Sequence, residues 1–218
     1  AGYRTFETPD TSTNITPIAF WIGGEELHNN HHAFPSSAKF SNKWWEFDIG
    51  WMYIKILSFF GLAKVKRRMP KVHIIAEKNA IDSETIRSVI LNRVHVMADY
   101  ARNVVKPMVK SVRESLTLDK LSLHKIKKLM TREPVMMDEK SVDTLNGVLT
   151  ESPTLKTIYN FRIGLQQIWD RAATSQDALL HALKEWCNQA EATGIQALQD
   201  FARTLRGYGL IPATPAKA

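Results

Sequence analysis

The residues best suited to chemistry are His28, His31 and His32, in the run His28-Asn29-Asn30-His31-His32. On a helix, positions i, i+3 and i+4 share one face, so three imidazoles can converge on one ion. Neutral imidazole suits iron, zinc, copper and nickel. Glu25 and Glu26 stand one turn earlier, where a carboxylate can orient a ligand imidazole through its other ring nitrogen. Asn29 and Asn30 can do the same. The competing reading is a set of structural histidines. His73, His95, His124 and His181 are scattered singly and read as surface or packing residues. Three histidines do not complete a redox centre. The site is therefore either mononuclear or shares its metal with residues outside this chain, and no catalytic residue beyond the ligands is expected.

The elements that must hold this cluster read as helices, and the expected fold class is all-α. Residues 1–45 are rich in Thr, Pro, Asn, His and aromatic side chains. Residues 46–63 are strongly apolar, with Asp48 as a helix N-cap and Gly61 as a stop. About 14 helical residues span about 20 Å, short of a hydrocarbon core of about 30 Å. Lys55 also disfavours spanning. Trp51, Tyr53, Phe59 and Phe60 suit a helix lying at a membrane interface, the alternative being a buried amphipathic helix. The basic run Lys64, Lys66, Arg67 and Arg68 favours the interface, where it would meet phosphate.

From Asp82 or Ser83 a long helix is expected, with Ile86, Val89, Ile90, Val94, Met97, Ala101 and Val105 at helical spacing and Pro107 ending or kinking it. Further helices are expected at Leu121–Leu129, Val142–Leu149 and Leu155–Trp169. Another is capped by Thr174 or Ser175, and a last one carries Ile195, Leu198, Phe201, Ala202 and Leu205. Gly207-Tyr208-Gly209 ends it. No strand is expected, and residues 211–218 read as a disordered tail.

Composition sets outer bounds. Of the 218 residues 44% are hydrophobic and 23% charged, which excludes a wholly disordered chain. The net charge is +7, and residues 64–133 hold seventeen basic against seven acidic side chains. That excess suits a phosphate-rich partner, or a solvated helical face. The lone Cys187 cannot form an internal disulfide. The chain begins at Ala1 without a signal peptide and reads as starting inside a longer protein. No run of about 18 uncharged apolar residues is present.

Gly24-Glu25-Glu26-Leu27-His28-Asn29-Asn30-His31-His32-Ala33-Phe34-Pro35 resembles the third histidine box of membrane-bound acyl-CoA or acyl-lipid desaturases of the stearoyl-CoA delta-9 type. Gly2-Tyr3-Arg4, Phe47-Asp48-Ile49-Gly50-Trp51 and Gly61-Leu62-Ala63 extend the resemblance, which covers residues 2–68. Asn92–Arg102 and Glu185–Ile195 resemble the helical extension of bacterial members, and similar stretches occur in transposase-like proteins.

The resemblance implies an enzyme that uses two Fe2+ ions, O2 and two electrons to place a cis double bond in a saturated acyl chain. His28, His31 and His32 map onto iron ligands. The first two boxes, the transmembrane helices and a further histidine expected just before Ala1 are not in this sequence, so the chain alone is expected to be inactive. The implied partners are an acyl-CoA or acyl-lipid substrate, O2, membrane lipid and an electron donor of ferredoxin, rubredoxin or cytochrome b5 type. The implied place is the cytoplasmic face of a bacterial inner membrane. Lys64, Lys66, Arg67 and Arg68 are candidates for lipid or coenzyme A phosphate. The expected organisation is a catalytic portion at 1–70, a linker at 71–79, a helical extension at 80–210 and the tail. A helical nucleic-acid-binding or assembly module with an incidental histidine cluster is the alternative, although nucleic acid is not the expected partner.

Overall fold

The structure, a computed structural model, describes residues 2–112, 123–170 and 175–210. The chain divides into two compact units, Ala1–Pro70 and Lys71–Ala218. It is mostly helical.

The first unit is held largely by buried polar side chains. Among its described residues Phe6, Ala19, Leu27, Phe34 and Ile49 are buried apolar, whereas ten polar or charged residues are buried, Asn14, Glu26, Asn29, Asn30, Glu46 and Asp48 among them. An apolar core alone would not specify this arrangement, because directional bonds fix geometry that dispersion does not. Strand β1 (Ile18–Ala19) pairs in parallel with β2 (Phe47–Asp48). One 3-10 turn (Glu25–Leu27) leads directly into helix α1 (His28–Ala33), and helix α2 (Ile49–Phe59) follows β2.

Asp48 caps α2 as expected: its Oδ1 accepts from Trp51 N at 2.8 Å. Its Oδ2 accepts from Phe40 N and Ser41 N, so one carboxylate fixes both the helix start and the preceding loop. Two glycines allow the approach. A Cβ on Gly50 would lie 2.5 Å from Gly23 O, and Gly24 has φ 108° with Asp48 Oδ1 3.0 Å from where a Cβ would stand.

In the second unit, helix α3 (Ser83–Leu91) starts at an Asp82 capping box with Thr85. The expected long helix breaks at Asn92, where α4 (Arg93–Tyr100) begins. Asn92 Nδ2 donates to Ser88 O at 2.9 Å, a local bond that competes with the helical pattern. Pro107 does not end the helix. A π-helical turn (Ala101–Val105) precedes it and α5 (Lys106–Ser111) continues beyond it. Proline lacks an N–H and crowds the carbonyl four residues back, and the wider turn accommodates both effects.

Helices α6 (Leu123–Thr131), α7 (Glu139–Glu151), α8 (Pro153–Asp170), α9 (Gln176–Ala192) and α10 (Gln196–Arg206) complete the unit. Ser175 caps α9. Tyr100 centres the core: its ring packs edge-on to Phe201 at 5.0 Å, and its hydroxyl donates to Ile158 O at 2.7 Å.

Residues 71–79, expected as a linker, carry β3 (His73–Ile74), which pairs antiparallel with β4 (Tyr208–Gly209). No strand was expected anywhere, and two-residue strands are too short to leave an alternating pattern. The expected disordered tail, and Thr174 as an alternative cap, lie outside the described residues.

Candidate metal centre

The three histidines of α1 are neighbours. Ring centroids of His28 and His32 lie 4.3 Å apart, His31 and His32 5.7 Å, and His28 and His31 6.3 Å. The helix is pinned by its two asparagines. Asn29 is fully buried; its Oδ1 accepts from Thr5 N and Phe6 N, and its Nδ2 donates to Phe6 O. Asn30 N donates to Asn14 Oδ1, and Asn30 Nδ2 donates to Glu46 Oε2. The asparagines thus face the interior, which leaves His28, His31 and His32 on the opposite side of a single helical turn.

Each imidazole has a different neighbour. His32 Nδ1 lies 2.8 Å from Asp10 Oδ2. His28 Nδ1 lies 3.6 Å from Glu25 Oε2, an ion-pair distance rather than a hydrogen bond. His31 packs against Phe40 at 4.6 Å, and its Nδ1 is buried without a hydrogen-bond partner. His28, His32, Asp10 and Glu25 line one open cleft of about 530 Å³. Among the described residues no group of three His, Cys, Asp or Glu side chains is arranged to hold a metal ion.

Of the four residues expected to orient the imidazoles, Glu25 alone stands beside one. Glu26 instead accepts from Trp21 N and Ile22 N through Oε1 and fixes the preceding loop. Burial alone would raise its pKa; backbone N–H groups, those of Ile22 and Trp21 included, outweigh burial and hold the carboxyl below its ordinary value. Asn29 anchors α1 to residues 5–6. The residue that sequence reasoning missed is Asp10, 22 positions from His32. No local spacing rule relates them.

Asp10 is itself held. Its Oδ1 accepts from Ser12 N and Thr8 Oγ1. Arg4 closes the same turn, donating to Asp10 O, Thr8 O and Thr8 Oγ1. Burial would raise the Asp10 carboxyl, but Ser12, Thr8 and His32 outweigh it and hold it well below the usual carboxylate range.

The basic run lies elsewhere in this unit. Lys64, Lys66, Arg67 and Arg68 are all exposed. The first three line a groove of about 580 Å³ with Phe40 and Ile54, and Arg68 stands over the Trp51 ring at 5.9 Å. The apolar helix α2 buries little: Tyr53, Ile56, Leu57 and Phe59 are exposed, as are the nearby Phe60 and Leu62. Among the described residues no helix is long and apolar enough to cross a membrane.

Comparison with known proteins finds two kinds of similarity. A family model described as transposase matches residues 85–209, more than half of the chain. A separate similarity links it to desaturases. It is 48% identical over 62 residues to the sn-1 stearoyl-lipid 9-desaturase of Anabaena variabilis, covering 28% of this chain and 23% of that protein. It is 47% identical over 62 residues to Delta-9 acyl-lipid desaturase 1 of Arabidopsis thaliana, covering 28% and 20%. It is 43% identical over 72 residues to Acyl-CoA 5-desaturase AL21 of Anemone leveillei, covering 33% and 22%. The chain therefore spans about a fifth of the length of these relatives. No solved structure matches it.

Proposed function

Since the chain belongs to a transposase family through residues 85–209 and is related over a shorter stretch to acyl-lipid desaturases, we propose that its chemistry belongs to the first unit, as the last histidine box of a fatty acyl desaturase. The observation that carries this reading is the grouping of His28, His31 and His32 on α1, with Asp10 and Glu25 at the Nδ1 atoms of two of them. The matches run over 62 to 72 residues, close to the length of this unit, Ala1–Pro70.

The donor set fits iron in kind. Imidazole nitrogen is a favoured ligand of redox-active iron, and carboxylates at Nδ1 leave Nε2 as the ligating atom. It does not suffice in number, so the remaining ligands would come from elsewhere in a longer protein. Iron bound there would supply the O2 activation that abstraction from an unactivated CH2 requires. This chain's own residues would supply the rest. Asn29 and Asn30 fix the helix that presents the imidazoles, Asp10 orients His32, and Glu25 stands 3.6 Å from His28 Nδ1. The exposed apolar side chains of α2, with Lys64, Lys66, Arg67 and Arg68 beyond it, would meet the membrane from which the acyl chain is drawn.

The deciding test joins sequence to activity. The coding DNA upstream of Ala1 should hold, in frame, two further histidine boxes and long apolar spans. The longer product, expressed in a desaturase-deficient bacterium, should restore monounsaturated fatty acids, and H28A, H31A or H32A should each abolish that. Restoration by the H32A variant would refute the reading. Neutralising Lys64, Lys66, Arg67 and Arg68 together should weaken membrane retention or substrate binding; no change in either would remove them from the site.

A nucleic-acid-binding role ranks second and rests on the family match of the second unit and its basic residues. It requires DNA binding by the chain that falls steeply with salt. Failure to retard DNA at low ionic strength would end it.

A further inference from the structure

Asp10 is the nearest charged group to any of the three imidazoles, at 2.8 Å from His32 Nδ1. A neutral imidazole carries one proton and can place it on either nitrogen. A carboxylate accepts and does not donate, so a hydrogen bond at Nδ1 requires that the proton sit there. The second nitrogen, Nε2, then holds the lone pair. Free histidine favours the opposite placement, with the proton on Nε2, so a neighbour is needed to reverse it.

Asp10 is built to be that neighbour. Its Oδ1 is occupied by Ser12 N and Thr8 Oγ1, which leaves Oδ2 to His32. The turn that carries it is clamped by the Arg4 guanidinium through Thr8 O and Asp10 O. His28 has no equivalent, since Glu25 stands 3.6 Å away, and His31 Nδ1 is buried with no partner. The three imidazoles are thus unequal.

We propose that Asp10 is a positioning residue that fixes His32 in the Nδ1–H form, so that Nε2 of His32 is a ready ligand while His28 and His31 are oriented only when an ion arrives. The inference deepens the desaturase reading and rests on it for its purpose, but not for its test.

The test uses the full chain without metal. Two-bond 1H–15N spectra at about pH 8.5, where ordinary imidazoles are neutral, report the tautomer of each histidine. His32 of the wild type should show the Nδ1–H pattern. D10A should move it to the Nε2–H pattern, and so should D10N, because Ser12 N claims the amide oxygen and leaves the amide N–H to face His32 Nδ1. The backbone amide spectrum distinguishes this from unfolding. An unchanged His32 pattern in a folded D10A chain overturns the proposal. In a separate arm, Co2+ titration followed by its visible absorption should show D10A binding about 10- to 100-fold more weakly than the wild type. Equal affinity in the two would also overturn it. If the wild type binds no Co2+, the metal reading falls, whereas the tautomer spectra still decide what Asp10 does.

Discussion

Asn30 donates its side-chain N–H to Glu46 Oε2 at 2.9 Å, and both residues are buried. That bond ties the histidine helix to the loop before α2. The same carboxylate accepts from Asn42 N at 2.6 Å, Lys43 N at 2.9 Å and Tyr3 OH at 2.8 Å. Burial and Glu46 together push the Tyr3 phenol well above its ordinary pKa. Replacing Glu46 with Ala leaves four donors without their acceptor. Each buried unpaired group costs about 1–3 kcal/mol, less where water reaches it. E46A should therefore destabilise the first unit by about 2–4 kcal/mol, read by denaturant unfolding and by faster amide exchange at Asn42 and Lys43. A wild-type midpoint would show that the network is dispensable.

Gly50 abuts Gly23 O so closely that any Cβ would stand 2.5 Å from it. A backbone carbonyl cannot rotate away as a side chain does. G50A should force the start of α2 and the 23–24 turn apart and cost about 1–3 kcal/mol. Gly61, whose Cβ would meet nothing within 4 Å, makes a useful contrast despite its φ of 73°. G61A should carry the strain of a left-handed residue and no clash, so its loss of stability should be smaller. Thermal unfolding of the two variants checks the order.

The last two helices of the second unit were legible because each carries a long periodic apolar face. Leu183, Trp186, Cys187 and Ala190 are all buried on α9, and Leu198, Phe201, Ala202 and Leu205 on α10. The caps Asp48, Asp82 and Ser175 were also legible, because a cap is a local signal. What the sequence hid is non-local. Asn92 reads as one more helical residue until its side chain takes Ser88 O. In the first unit, Asn29, Asn30 and Glu26 looked like partners for the histidines by spacing alone. A six-residue helix needs its own anchors, and these polar side chains serve as them. The chemistry-bearing partner, Asp10, lies across a turn that no periodicity predicts.

Acid should weaken the second unit at a definite place. Burial would raise the Asp82 carboxyl, but Thr85 and Lys78 outweigh burial and lower it from about 3.8 to about 2. A depressed carboxyl pKa stabilises the folded state above the unfolded value, and the contribution is lost as pH falls through the folded one. The loss attributable to Asp82 should thus fall between about pH 4 and pH 2. D82A removes an N-cap and should cost about 1 kcal/mol at neutral pH. It should also flatten the acid limb in that window, apart from the share due to Glu84, which Leu210 N and Lys78 also hold low. Urea midpoints of wild type and D82A at pH 7, 4 and 2.5 would reveal it; parallel pH dependences would refute it.

Cys187 should be chemically silent while the second unit is folded. Its side chain is buried on α9 against α10, with Sγ 4.0 Å from Ala202 O. Burial is the main reason the thiol is pushed up to about 12 from 9.0; Arg206 lowers it and Glu191 raises it. The thiolate is the reactive form, and burial leaves little of it at a given pH. Disulfide-exchange reagents at pH 8 should therefore label the folded chain at least about 100-fold more slowly than the denatured chain. R206A removes the cation that favours the thiolate and also breaks the bidentate pair with Glu191 at 2.9 and 3.1 Å. Its two effects oppose each other, since the lost charge slows labelling and looser packing of α10 on α9 speeds it. Amide exchange on α9 and α10 separates them, because exchange reports opening and not the charge beside the thiol. Rapid labelling of the native wild-type chain without denaturant would show that α9 and α10 open far more often than their contacts imply.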